Sequence, residues 1–380
     1  MGLAIFMRDD NTILFLNILR GPAALLVMWD HFTGTWPEKM KVHWFISEIV
    51  REYINTPLVI IQDFGFMGVV VFFLISGYLI THVAQREDRF VFVVKRFFRI
   101  YPPLFFSIVL IVIFGFFKGI YYKAWDVVFA ATLFNYLNVP QNPVNGAAWT
   151  LIIEVLFYIL VCLFMTPIKK MAVFGSLLIS TSCLIAILSS RNLGDNYFLF
   201  AVNMSFVPYL LMGQLLYYVH NKRISFGTFA LLTMFNYFII MKGIISIHSN
   251  FYQPSNSYGV TFIYSYFIFT IAMISNEWLR ENIVVRCLSY FSKISYSLYM
   301  IHATIGFFLL DILMPRIGYS LALLVTVFTV IFCSHWVYYL IEKPSQEFGI
   351  KFIRIVKNSR ILLFNKKLVL AEQSQPEDIS

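Results

Sequence analysis

Ten stretches of 17 to 23 residues are apolar almost throughout, at about 12–32, 64–83, 101–117, 148–166, 172–190, 197–219, 226–245, 259–276, 295–313 and 320–341. A hydrocarbon layer about 30 Å thick takes roughly 20 helical residues to cross, so each stretch is long enough to span a bilayer. Lipid offers no hydrogen bonds to an open backbone, and a crossing segment must satisfy its own amides as a helix. The expectation is an all-α polytopic membrane protein, a bundle of about ten transmembrane helices. A further apolar piece, Val127–Leu137, falls short of a crossing and reads as a re-entrant or interfacial segment.

Charge sets the orientation. The 380-residue chain carries a formal charge of +9, but its 29 Lys and Arg sit in short clusters between apolar runs, the pattern of membrane-flanking loops and not of a nucleic-acid surface. With the N-terminus inside, 20 of them fall on the cytoplasmic side and 8 on the other, leaving Arg20 within the first span. That asymmetry places both termini in the cytoplasm. Counting Val127–Leu137 as a full crossing would invert every later loop and destroy the bias. The external loops 33–63, 138–147 and 246–258 are comparatively polar, suited to a neutral polar acceptor or to plain connection. Beyond the tenth span, a tail at 346–380 divides into a basic segment, Lys351–Lys367, expected on an anionic inner leaflet, and an acidic end, Ala371–Ser380, expected to be disordered. Cys162, Cys183, Cys287 and Cys333 show neither CxxC nor Cys/His ligand spacing, so neither a disulfide framework nor a metal site is expected. The first apolar run lacks a small-residue cleavage site and reads as a retained span.

Several spans nevertheless carry polar groups. Leu19–Phe32 (LRGPAALLVMWDHF) contains Arg20 and His31, eleven residues and close to three turns apart, hence on one helical face about 16 Å apart along the axis. An ionisable group at membrane depth is costly unless it faces a bundle interior or water, and so marks a functional site. The plainer alternative is an arginine satisfied by carbonyls and an interfacial histidine. In the fourth span, WTLIIEVLFY sets Glu154 at a depth similar to His31. A carboxylate there can orient a general-base histidine, or serve as the counter-ion of Arg20. The ninth span brings Tyr296, Ser297 and His302 to mid-membrane, and a lone histidine in such a place is more often a hydrogen-bonded core residue. Gly65, Gly68, Ser76 and Gly77 in the second span suit close helix packing. Lys95, Arg96 and Arg99 stand at the cytoplasmic mouth of the third; Arg96 and Arg99 share a face and could clamp phosphates, or belong to an ordinary positive-inside cluster.

Taken in order, LRGPAALLVMWDHF, GVVVFFLISGYLI, KRFFRIYP, WTLIIEVLFY, FVPYLLMGQLLY, ISYSLYMIH and IEKP resemble the acyltransferase-3 family of integral-membrane acyltransferases, which includes bacterial O-antigen and exopolysaccharide O-acetyltransferases, over about residues 12–345. The resemblance implies a transmembrane acyltransferase domain at 1–345 in a bacterial inner membrane. It would move an acetyl group from cytoplasmic acetyl-CoA, its co-substrate, to a hydroxyl of a cell-surface polysaccharide or its lipid-linked precursor, without a metal. The family's arginine–ten residues–histidine motif falls on Arg20 and His31, its RxxR motif on Arg96 and Arg99, and its W-[ST]-L-x-x-E segment on Trp149, Thr150, Leu151 and Glu154. Asn17 and Val70 stand where relatives often carry Asp, which removes possible partners of Arg20. On this reading His31 takes the acceptor's proton, Glu154 orients it, Arg20 stabilises the oxyanion, and Arg96 and Arg99, with Lys95 beside them, hold the donor's phosphates. Ser76, Ser297 and His31 are candidates for a covalent intermediate, and Trp149, Tyr296 and His302 complete the candidate site. The rival is a secondary transporter or flippase of lipid-linked sugars, using Arg20, His31 and Glu154 as an ion or proton site. A non-catalytic membrane sensor or scaffold is the third reading.

Overall fold

A computed structural model describes residues 14–139, 144–247 and 257–373, with side chains described through Ser359. The acidic end beyond 373 and most of the external loop at 246–258 lie outside the described residues, as do residues 140–143 of the loop at 138–147. The described residues form helices and turns with no strand. In chain order these are α1 (Leu14–Trp29), a π-helical turn (Asp30–Thr35), α2 (Trp36–Met40), α3 (Phe45–Val50), a second π turn (Arg51–Asn55) and a 3-10 turn (Gln62–Phe64). Then follow α4 (Gly65–Arg86), α5 (Arg89–Phe117), α6 (Ala124–Thr132), α7 (Trp149–Leu163), α8 (Met165–Lys170), α9 (Ala172–Leu188), α10 (Asp195–Met204) and α11 (Val207–His220). The chain ends with α12 (Phe226–Ser246), α13 (Ser257–Ile274), α14 (Ile283–Ile317), α15 (Tyr319–Val337), a π turn (Tyr338–Glu342) and α16 (Lys343–Gln373).

Eight helices are long and apolar enough to cross a membrane, built on α4, α5, α7, the α10–α11 pair, α12, α13, α14 and α15. The protein is a polytopic all-α membrane protein. The other two expected spans are α9, a shorter apolar helix, and α1, whose 16 described residues run into a π turn. The expected span 197–219 is two helices, because Pro208 has no amide to continue α10 and instead sits in the first turn of α11. At its start α14 extends well before residue 295: Asn282 caps it, accepting from the Val285 amide at 2.9 Å, and Arg286 and Lys293 lie in its first turns, where hydropathy alone sees no span. The segment 127–137 holds the last six residues of the nine-residue α6 and a 3-10 turn, far too short to cross.

α4 is the axis of the bundle. It packs on α1, α7, α11 and α13, and 78% of its apolar window is buried, against 33% for α12. Contact with α11 is backbone to backbone: a Cβ at Gly77 would overlap the Leu210 carbonyl, and one at Gly213 the Leu74 carbonyl. The loop at 33–63 is no plain connector, since its short helices form a cap at the His31 end. Trp36 Nε1 donates to Asp311 at 2.8 Å, Trp44 Nε1 to Ser320 at 3.1 Å, and Tyr319 OH to the Phe32 carbonyl at 2.6 Å, fixing the cap to α14 and α15. At the other end α16 crosses residue 346 without a break. Ser345 Oγ donates to the Phe98 carbonyl at 2.9 Å, Gly349 admits the Phe98 ring, and Lys357 meets Asp88 at 2.9 Å, so its first turns belong to the packing of α5.

Candidate active site

α1 holds both ends of the candidate site. Arg20 is buried in the middle of the helix, where Gly21 lets α14 approach so closely that a Cβ would lie 2.6 Å from the Leu288 carbonyl. After Trp29 the backbone widens into the π turn, an arrangement that re-aims side chains and recurs at functional sites. Both Asp30 and His31 therefore face one cavity of about 1080 Å³ under the cap, although they are neighbours in the chain. His31 Nδ1 lies 2.9 Å from the Val27 carbonyl. A carbonyl only accepts, so Nδ1 carries the hydrogen and Nε2 presents its lone pair. The His302 ring stands edge to face with it at 4.8 Å, its own Nδ1 donating to the carbonyls of Leu298 (3.1 Å) and Tyr299 (2.9 Å). His302 Nε2 is buried without a hydrogen-bond partner among the described residues.

A second, smaller cavity of about 50 Å³ lies deeper, lined by Arg20, Arg99, Ser76, Glu154, Thr150 and Tyr296 among others. Glu154 accepts from both Ser76 Oγ and Tyr158 OH. It does not reach His31, whose ring is held by backbone; the carboxylate expected to orient the base instead shares the inner cavity with the two guanidiniums. Glu342, buried in the π turn after α15, accepts from Ser297 Oγ at 2.6 Å. The charges of Glu342 and Glu154 act favourably on Arg20 and that of Arg99 unfavourably, so two carboxylates offset two guanidiniums in this layer. Asn17, where the family resemblance implies an Asp in many relatives, accepts from Ser292 Oγ at 3.1 Å, and Val70 is fully packed core.

The two cavities share Val69 and Tyr299 as lining residues. Tyr299 OH lies 2.7 Å from Thr150 Oγ1 and donates to the Ala147 carbonyl at 2.7 Å, which ties α14 to the start of α7 at the junction. Trp149 lines the outer cavity and packs on Phe206 with 5.1 Å between ring centroids. Tyr296 lines the inner cavity while donating to the Ile100 carbonyl at 2.8 Å.

The basic cluster divides. Arg99 faces the inner cavity, whereas Arg96 is buried beside the rings of Phe92 (5.7 Å) and Tyr158 (6.0 Å) and lines neither cavity. Lys95 pairs with Glu87, whose carbonyl also accepts from Lys169 at 2.6 Å. Residues three apart on a helix diverge by about 60°, enough here to put one guanidinium in the cavity and leave the other in the helix packing. Glu342 was missed as a site residue in the sequence. Its signal was a carboxylate directly after the apolar run of the last span. Asp30, Asp63 and Arg51 at the cap were also missed, because nothing local says that 33–63 folds over His31. Among the described residues no group of three or more His, Cys, Asp and Glu is placed to hold a metal ion.

A sequence model of the acyltransferase-3 family, described as an acyltransferase domain, matches residues 13–339. No curated protein and no solved structure matches.

Proposed function

The chain belongs to the acyltransferase-3 family and is a membrane acyltransferase, and from that premise we propose that it transfers an acetyl group from acetyl-CoA to a hydroxyl of a cell-surface polysaccharide or its lipid-linked precursor, such as an O-antigen. The observation that carries this reading is the pair of cavities meeting at Tyr299, one presenting the His31 lone pair and the other two guanidiniums. The donor reaches the inner cavity from the cytoplasmic side, with Arg99 toward it, while Arg96 stays in the helix packing and Lys95 is paired with Glu87. The acceptor enters the outer cavity from the opposite face of a bacterial inner membrane.

In the transfer itself the acceptor oxygen attacks the thioester carbonyl carbon while His31 Nε2 takes the hydroxyl proton. Arg20, which lines the inner cavity with Arg99, orients the donor arm that carries the thioester toward the junction at Tyr299. The carbon–sulfur bond then breaks, CoA leaves as thiolate, and the proton held on His31 passes to the departing sulfur or to solvent. Glu154 and Glu342 keep the guanidinium layer neutral. Ser76 and Ser297 each donate to a carboxylate in the inner layer, away from His31, and the transfer proposed is direct to the acceptor.

The test is CoA release. Full-length protein in nanodiscs, given acetyl-CoA and polysaccharide or lipid-linked oligosaccharide, should release CoA in step with O-acetylation seen by NMR, and His31→Ala should abolish both at unchanged expression. Movement of a sugar substrate across the nanodisc-free proteoliposome membrane without CoA release would support the transporter reading instead.

A further inference from the structure

The outer cavity holds a second ionisable group beside the base, and nothing in the transfer step uses it. Asp30 is 8% exposed. Among the described residues its carboxylate accepts no hydrogen bond and forms no ion pair, and it lines the cavity that His31 lines. Its neighbour Asp63, 5% exposed, is in the opposite condition: Arg51 Nε and Nη2 approach it at 2.9 and 2.7 Å, and Asn55 Nδ2 donates to it at 2.9 Å. One buried carboxylate is thus fully answered, and the other is left open.

The backbone maintains that arrangement at a cost. Gln62, Asp63 and Phe64 are three consecutive non-glycine residues in left-handed conformation, with φ of 51°, 43° and 73°. Each such residue is strained and persists only where its surroundings hold it, here by the Arg51 and Asn55 grip on Asp63. Glycines wall the open carboxylate. A Cβ at Gly65 would overlap the Asp30 carboxylate, and one at Gly34 would lie 2.8 Å from Asp30 Oδ1 and 2.9 Å from Asp63 Oδ2. Asp30 therefore lies against the backbone of Gly34 and Gly65, on the wall of the cavity. A buried carboxyl group without hydrogen-bond partners is unfavourable, so an incoming group that supplies donors gains.

We infer that Asp30 is the acceptor-recognising carboxylate of the outer cavity, taking hydrogen bonds from the ring hydroxyls adjacent to the one that His31 deprotonates and so selecting which hydroxyl is acylated. This inference rests on the acyl-transfer reading above. Two carboxylate oxygens match the spacing of neighbouring hydroxyls on a sugar ring, and Trp149, Tyr209 and Tyr258 line the same cavity as flat surfaces for the ring's apolar face. With Asp30 and His31 in consecutive positions of one π turn, the recognised hydroxyls and the attacked one are held in fixed register.

The experiment uses full-length protein in nanodiscs, acetyl-CoA, and the methyl α-glycosides of glucose, galactose, mannose and rhamnose as probes. KM, kcat and the positions of acetylation by NMR are measured for the wild type and for Asp30→Asn and Asp30→Ala. The expected result is a rise in KM for the glycoside of about tenfold or more, a smaller change in kcat, and acetyl spread over more than one ring position, with thermal stability near or above wild type because a buried carboxyl group without hydrogen-bond partners has been replaced. A wild-type KM and a single unchanged product position in both variants overturns the inference alone. A wild type that acetylates none of the four glycosides overturns the assignment to ring hydroxyls; if it also releases no CoA with polysaccharide, the proposed function fails with it. Loss of folding in Asp30→Asn, seen as a lowered melting temperature with both kinetic constants affected, assigns Asp30 to structure and overturns the inference as well.

Discussion

The rings of His31 and His302 meet edge to face with 4.8 Å between centroids, each anchored through Nδ1 to a backbone carbonyl of its own chain segment. Neither ring has freedom to choose a tautomer, so each carries its lone pair on Nε2. The second histidine is thereby a wall for the first and shares its surroundings.

His31→Ala should lower kcat by roughly 10²- to 10⁴-fold, the range expected for loss of a general base. His302→Ala should lower it less, by about tenfold, since an aromatic edge-to-face contact is worth about 0.5–1.5 kcal/mol. His302→Phe, which keeps the ring, should recover most of that loss while the acceptor KM stays near wild type in both variants. Steady-state CoA release in nanodiscs reads all three, and a His302→Phe variant no better than His302→Ala would show that the ring contact is not what matters.

Arg20 and Glu342 belong to one charge layer, so their substitutions should couple. Removing one member of a buried set leaves an uncompensated charge and costs about 3–5 kcal/mol in well-buried cases. Glu342→Gln and Arg20→Met should each lower the melting temperature in detergent. The double variant should be less destabilised than the sum by about 0.5–3 kcal/mol, the size of coupling between residues in one network. Additive losses would mean that the two do not offset each other.

Gly77→Ala and Gly213→Ala should each destabilise the protein strongly, because the added methyl falls on a facing carbonyl of the partner helix and not on a movable side chain. Overpacking typically costs about 1–3 kcal/mol, and a backbone clash lies at the upper end or beyond. Gly227→Ala, where nothing lies within 4 Å, serves as the control and should be neutral. Thermal unfolding monitored in detergent separates the two outcomes.

Asp88 caps α5, accepting from the Val91 amide at 2.9 Å, and also meets Lys357 of α16. The amide first and the lysine second hold its carboxyl below the usual carboxylate range. A depressed folded value means that this stability is present above the unfolded value and is lost as pH falls through the folded one. Asp88→Ala should therefore cost about 1 kcal/mol at neutral pH, the usual size of an N-cap. The gap to wild type should narrow below pH of about 4 and close on further acidification. An undiminished gap in melting temperature at the lowest pH at which the fold persists would argue against the capping role.

Hydropathy alone decided the fold class, because a segment of twenty apolar residues has one way to satisfy its backbone in lipid. The same physics made Arg20, His31 and Glu154 conspicuous, since polar groups at that depth are costly wherever they occur. What each of them touches was settled only by the packing of distant helices. Glu154 lies with Arg20 and Arg99 and apart from His31 because α7 meets α4 and α5 one layer deeper than the π turn. Glu342, more than three hundred residues from Arg20, enters its charge layer through the return of α15 beside α14. The cap over His31 is built from helices of five and six residues, too short to show a periodicity in the sequence, and it takes its shape from side-chain ties to α14 and α15 that no local pattern reveals. Chain composition fixes which segments are buried in lipid; the pairing of buried charges depends on contacts between segments far apart in the chain, and only the folded bundle determines those.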